Sequence, residues 1–154
     1  MRSVEEHQRA VADLIRPRPP VTVALSDAEG LALAADVIAP ISLPVFDNSA
    51  MDGYAVLADD VAGATPDNPV TLPVTEDIPA GRTDIPTLTP GSAHRIMTGA
   101  PIPHGADGVI PVEVTDGGAD VVRISAATTR GRHIRPAGSD VAAGATVLRA
   151  AGCG

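Results

Sequence analysis

The sequence predicts a mixed, mainly β protein with an N-terminal helix: a helix-bearing framework, a small, barrel-like β-rich middle and a β-like tail. Three observations carry the β and helical parts of that reading. Ser3 and Glu6 stand at capping-box spacing ahead of Val4, Val11, Leu14 and Ile15 on one helical face. From Val70 onward, short β-prone runs alternate with Gly, Pro and Asp at the regular spacing of a small barrel or sandwich. The 154 residues are 44% hydrophobic yet hold one Phe, one Tyr and no Trp, so the core is aliphatic.

The helix is expected over about residues 4–16 and ends at "RPRPP", where Pro17, Pro19 and Pro20 remove backbone donors and force their neighbours extended. His7 falls on its apolar stripe and reads as a packed or half-exposed helix residue. "VTVAL", Val21 to Leu25, has the pattern of a short strand. Ser26 and Glu29 then repeat the capping-box spacing before Gly30, predicting one helical turn. "LALAADVIAP", Leu31 to Pro40, is apolar enough to be buried. Beyond it, "PVTLPV", "AHRIM", "GVIPVEVT" and "DVVRISA" are the expected strands. "VEVTDGGADVVRI" is the clearest hairpin, with Asp116, Gly117 and Gly118 at its turn. No fixed-period repeat points to a solenoid.

Gly and Pro number 15 each, about a fifth of the chain, which implies many turns and not low complexity. The net charge is −8 and the basic residues do not cluster, which argues against a nucleic-acid partner. Cys153 is the only cysteine, so neither an intrachain disulfide nor a cysteine-built metal site is available. No apolar run approaches ~18 residues and the N-terminus is acidic where a signal peptide would be apolar. The expected setting is the cytoplasm, with no membrane partner.

Three windows carry chemistry. "PVFDNSAMDGYAV", Pro44 to Val56, places Phe46 and Tyr54 around Asp47 and Asp52. Asp, Asn and Ser commonly cap turns, but a turn needs no aromatic anchors. The two rings are therefore read as fixing a functional loop at a cleft. The same window offers the Ser49 hydroxyl as an oxyanion contact. In "HRIMTGAPIPHGADGV", Thr98 and Gly99 follow a strand and precede two prolines, presenting a hydroxyl and backbone N–H groups suited to an anion. His94 and His104 lack partners at zinc-ligand spacing. In "GRHIRPAGSD", Arg132 and Arg135 could fork around a tetrahedral oxyanion, with Asp140 to orient an arginine.

Taken in order, "PVFDNSAMDGYAV", "RIMTGAPIPHGAD" and "GRHIRPAGSDVAAGA" resemble the N-terminal signatures of the molybdopterin molybdenumtransferase family, MoeA-like proteins that include the E domain of gephyrin. The resemblance covers nearly the whole chain and is weakest between Ala58 and Ser92. It implies a homodimeric enzyme that inserts molybdenum from molybdate into adenylylated molybdopterin, releasing AMP, with a divalent metal such as Mg2+. The molybdopterin-adenylylating protein would be its pathway partner. Framework residues 1–45 and 136–154 would enclose an inserted domain, 46–135. The family's MDGYA aspartate falls on Asp52 and its MTGAP threonine on Thr98, the two catalytic candidates. The IRxxG arginine falls on Arg135, followed by Asp140, as substrate contacts.

A carboxylate with pKa near ~4 is a weak base for a dithiol, so Asp52 is better placed as a hard oxygen ligand to magnesium or as an orienting group. Ser139 stands where the family commonly has an acid, Ala137 where a basic residue is common, and Pro111 interrupts a β-run. Family members continue into a large substrate-binding domain, so this chain is expected to be an N-terminal part, inactive alone. The alternatives are a non-catalytic dimerisation or partner-binding module on the same scaffold, and a β-rich enzyme using Asp47 and Asp52 as an acid/base pair.

Overall fold

A computed structural model describes residues 3–14 and 18–151. Helix α1, Val4–Ala12, begins as its sequence dictates. The Ser3 hydroxyl accepts from the Glu6 N–H at 3.2 Å, and the Glu6 carboxylate accepts from the Ser3 N–H at 2.9 Å. It is shorter than expected, capped by Asp13, with residues 15–17 outside the described set. None of its residues is buried: Val4, His7 and Val11 are exposed, and so is Leu14 just beyond its cap.

The described chain divides into two compact units, one up to Val37 and from Leu148, the other Ile38–Val147. In the first, "VTVAL" is not a strand: it finds no ladder partner among the described residues, and Leu25–Asp27 forms a 3-10 turn. The Ser26 hydroxyl donates to Asp27, and among the described residues it accepts no capping bond from the Glu29 N–H. Leu31, Leu33, Val37 and Ile38, expected to be buried, are exposed. Asp36 accepts from the Ala150 N–H at 2.7 Å, tying the unit's two chain segments together.

The second unit holds β2 (Asn48–Ser49), β3 (Gly53–Val56), β4 (Val70–Ile78), β5 (Ala93–Ile96), β6 (Gly108–Pro111), β7 (Val121–Ile124) and β8 (Ile134–Arg135); β1 (Val37–Ile38) and β9 (Thr146–Leu148) run across its boundaries. All four β-prone runs became strands. Together with β3 they form one curled, half-barrel sheet in the order β6-β3-β5-β4-β7, antiparallel except for the β4–β5 pair. Strand β3 sits between β5 and β6 with all four residues buried.

The alternation of β3 divides the core into two faces. Tyr54 and Val56 pack with Leu72, Ile110, Val122 and Ile124, while Ala55 packs with Ile78, Ile96 and Val109 on the opposite side. The tyrosine hydroxyl donates to the Gly118 carbonyl at 2.9 Å, which satisfies its polar end.

The expected 112–124 hairpin is corrected. Pro111 ends β6, residues 112–114 coil into a 3-10 turn, and β7 pairs instead with β4. Only the Thr115–Ile124 bridge remains of the predicted ladder. Gly117 takes the positive φ that the turn requires, but Gly118 does not. Asp116 closes the turn by accepting from Gly118 and Arg123 N–H groups.

Candidate active site

The three sequence windows meet in space, within the second unit. The chain from Asp47 to Asp52 runs between the other two. On one side, Ser49 donates its N–H to Ala100 at 3.0 Å and accepts from Gly99 at 2.9 Å, while Asp47 accepts from the Ile102 N–H at 3.1 Å. On the other, β2 pairs with β8, matching Asn48 to Arg135 and Ser49 to Ile134, and the Ala50 N–H donates to His133 at 2.9 Å. Residues separated by 46 to 90 positions are brought onto one short loop.

Thr98 is aimed by its turn. The Ala100 N–H closes onto the Met97 carbonyl at 3.0 Å, and Gly99, at φ +80°, supplies the left-handed third position. Thr98 then donates twice to a single oxygen of Asp52: its N–H at 2.6 Å and its hydroxyl at 2.7 Å, both to Oδ1. These bonds, the backbone one foremost, hold the Asp52 carboxyl below the ordinary aspartate range, with a smaller contribution from the positive charge of Arg95. Asp52 is exposed, and among the described residues its Oδ2 accepts no hydrogen bond. The pair is therefore an ionised carboxylate with one oxygen fixed and one facing solvent.

Arg135 donates to Asp140 Oδ2 at 2.6 Å, so the aspartate does orient an arginine. The expected fork of two arginines is absent: Arg132 turns its Nε to His133 at 3.2 Å. Ser49, considered as an oxyanion contact, is fully buried at 0% exposure, and its hydroxyl donates to the Met51 carbonyl at 2.6 Å. It braces the loop instead. Phe46 corrects the aromatic-anchor reading, for it is 42% exposed while Tyr54 is buried. His94 is buried on β5 and His104 is exposed.

Arg95 is the residue that the windows passed over. It is the cross-strand partner of Tyr54 and so lies on the face that Asp52 shares two residues earlier. The alternation in "AHRIM" could have found it: an arginine between the buried His94 and Ile96 must face the opposite side.

Comparison with known proteins supplies the context. The family model for the MoeA N-terminal region (domain I and II) matches residues 2–152. The chain belongs to this MoeA N-terminal family. The match takes in the stretch Ala58–Ser92, where the sequence signatures were weakest.

Molybdopterin molybdenumtransferase 2 of Mycobacterium tuberculosis is 66% identical over 148 residues, covering 96% of this chain and 36% of that protein. Molybdopterin molybdenumtransferase of Bacillus subtilis is 37% identical over 149 residues, covering 94% of this chain and 35% of its own length. Among solved structures, the molybdopterin biosynthesis moeA protein of Pyrococcus horikoshii superposes with a TM-score of 0.77 at 38% identity, over 83% of this chain and 34% of that one. The chain thus spans about a third of the length of the curated MoeA relatives that it matches. No helix of the described residues is long and apolar enough to cross a membrane.

Proposed function

We propose that this chain is the N-terminal portion of a molybdopterin molybdenumtransferase, acting in molybdenum cofactor biosynthesis by transferring molybdenum from molybdate to adenylylated molybdopterin. The observation that carries the reading is the Asp52 carboxylate, held at one oxygen by both donors of Thr98 and open at the other. It supports a role in binding and orienting over one in proton abstraction, because a carboxyl held below its ordinary pKa is a still weaker base toward a thiol.

The donor set fits Mg2+, which takes one or two carboxylates and completes its shell with water and substrate phosphate oxygens. Among the described residues no cluster of three or more His, Cys, Asp or Glu surrounds a common point, so Asp52 Oδ2 would be the protein's contribution. When bound, the ion would neutralise phosphate charge. Thr98 keeps the carboxylate turned toward it, and Arg135, steadied by Asp140, meets oxyanion charge of molybdate or phosphate.

The remaining parts of the proposal are a cytoplasmic homodimer that receives its substrate from the molybdopterin-adenylylating protein. Its framework comprises residues 1–45 and 136–154 around an insert, 46–135. The compact units by contact divide elsewhere, at 37/38 and 147/148.

The test is Asp52→Asn in the complete protein, assayed with molybdate, magnesium and adenylylated molybdopterin. Molybdenum insertion should fall sharply with the fold intact. Wild-type turnover would return Asp52 to a structural turn. A second reading, a non-catalytic dimerisation or partner-binding module, is favoured by the exposed apolar residues Ile41, Leu43, Val45 and Phe46. It predicts normal association of the Asp52→Asn protein and no insertion activity in the wild type.

A further inference from the structure

Asp47 bonds to both windows that flank the candidate site. Its backbone carbonyl accepts from Ile102 in the Thr98 loop at 3.1 Å. Its carboxylate Oδ1 reaches 90 residues along the chain to accept the Ala137 N–H at 2.7 Å. Ala137 lies between Arg135 and Asp140, the two members of the ion pair. The rest of that turn is held by backbone alone: Gly138 and Asp140 donate to Pro44 and Leu43, each at 2.9 Å. Among the described residues, Asp47 is the side chain that ties the Arg135–Asp140 turn to the loop carrying Asp52.

We propose that Asp47 is a positioning residue: it sets the Arg135–Asp140 pair in register with the Asp52–Thr98 pair, so that one oxyanion meets both. This rests on the molybdate-binding role proposed for Arg135. A carboxylate accepting from a backbone N–H makes a short, charge-assisted bond that fixes the turn against a loop anchored on the sheet. Arg135 is itself held to the loop by the β2–β8 pairing with Asn48, so without Asp47 the backbone stays in place through that ladder and the bonds to Pro44 and Leu43, while the Asp140 side of the turn loses its setting and with it the aim of the Arg135 guanidinium.

The experiment is a double-mutant cycle in the full-length protein, reading kcat and KM for molybdate in Asp47→Ala, Asp47→Asn, Arg135→Ala and Asp47→Ala/Arg135→Ala. If Asp47 acts through Arg135, Asp47→Ala raises KM for molybdate roughly tenfold, more than it lowers kcat. The double variant is then no worse than Arg135→Ala alone. Asparagine keeps an acceptor oxygen and restores most of the affinity. Additive losses, or an unchanged KM in Asp47→Ala, overturn the proposal. Should the alanine variant not fold, Asp47→Ser, polar but too short to reach the Ala137 N–H, takes its place in the cycle with Arg135→Ala and decides by the same criterion. Asp52→Asn measured alongside separates the two levels: its full activity sinks the functional reading itself, whereas its inactivity with additive Asp47 and Arg135 effects sinks this inference alone.

Discussion

Gly53→Ala is the perturbation whose cost is read most directly from the geometry. A Cβ on Gly53 would stand 1.9 Å from the Ile110 carbonyl oxygen, about 1.1 Å inside the 3.0 Å floor for such contacts, and 3.1 Å from the Pro111 Cα. Both obstacles are backbone, so no side chain can rotate away. Strand β3 cannot yield toward β5 either, because it is hydrogen-bonded there as well. Opening the β3–β6 spacing by an ångström would stretch the bond from the Val112 N–H to the Asp52 carbonyl, now 3.0 Å, past useful length.

Overpacking costs about 1–3 kcal/mol and a broken backbone hydrogen bond about 1 more, so ~3 kcal/mol is expected. At ~4 °C per kcal/mol for a unit of this size, Tm should fall by about 12 °C. Thermal and urea denaturation followed by circular dichroism measure it. Gly63→Ala is the control, with nothing within 4 Å of its added Cβ, and should stay within ~0.5 kcal/mol of wild type. A Gly53→Ala protein within ~1 kcal/mol of wild type would refute the reasoning.

Tyr54→Phe removes the bond to the Gly118 carbonyl and should cost about 1 kcal/mol in urea denaturation; no loss would mean the hydroxyl is solvated. Thr98→Val deletes one of the two donors to Asp52, so a carboxyl-carbon NMR titration should show its pKa rising while still below the ordinary aspartate value. A depressed carboxyl stabilises the fold above its unfolded pKa and loses that contribution as pH falls through the folded one, so the variant should show a smaller acid-dependent loss. Burial lowers the pKa of His94, which is only 2% exposed and whose Nδ1 has no hydrogen-bond partner among the described residues. The unfolded chain then binds the proton first, and stability should drop as pH falls below about 6.5 toward the folded value. His94→Gln should flatten that slope in denaturation curves taken from pH 7.5 to 5, and an unchanged slope would assign it to another group.

The parts of the fold legible in sequence were those set by local rules. The Ser3–Glu6 cap needs only its own turn, and the β-runs at 70, 93, 108 and 121 are bounded by their own Gly and Pro residues. What misled was anything decided by a partner. "VTVAL" has strand composition but, among the described residues, no neighbouring strand to bond, so composition alone could not make it one. The 112–124 hairpin failed because Pro111 offers no N–H to continue a ladder and β4 competed for β7. In the site, Asp52, Thr98, Arg135 and Asp140 could be picked out from their windows, and the structure joins them as two pairs. Ser49 and Phe46 could not be sorted, since burial of one and exposure of the other follow from packing between distant segments.

The position of β3 in the sheet also sets a timetable. Its partners β5 and β6 begin some 40 and 55 residues further along the chain, and Thr98 lies 46 residues beyond Asp52. During synthesis the apolar strand emerges first, with unmet backbone groups on both edges, and closing loops of this length is slow compared with forming a helix. A nascent chain halted before Thr98 would therefore carry Asp52 as an ordinary solvated acid beside a sticky, unpaired strand. The carboxylate acquires its altered acidity only when the sheet closes around β3, so the chemistry of the loop and the completion of the fold arrive in the same event.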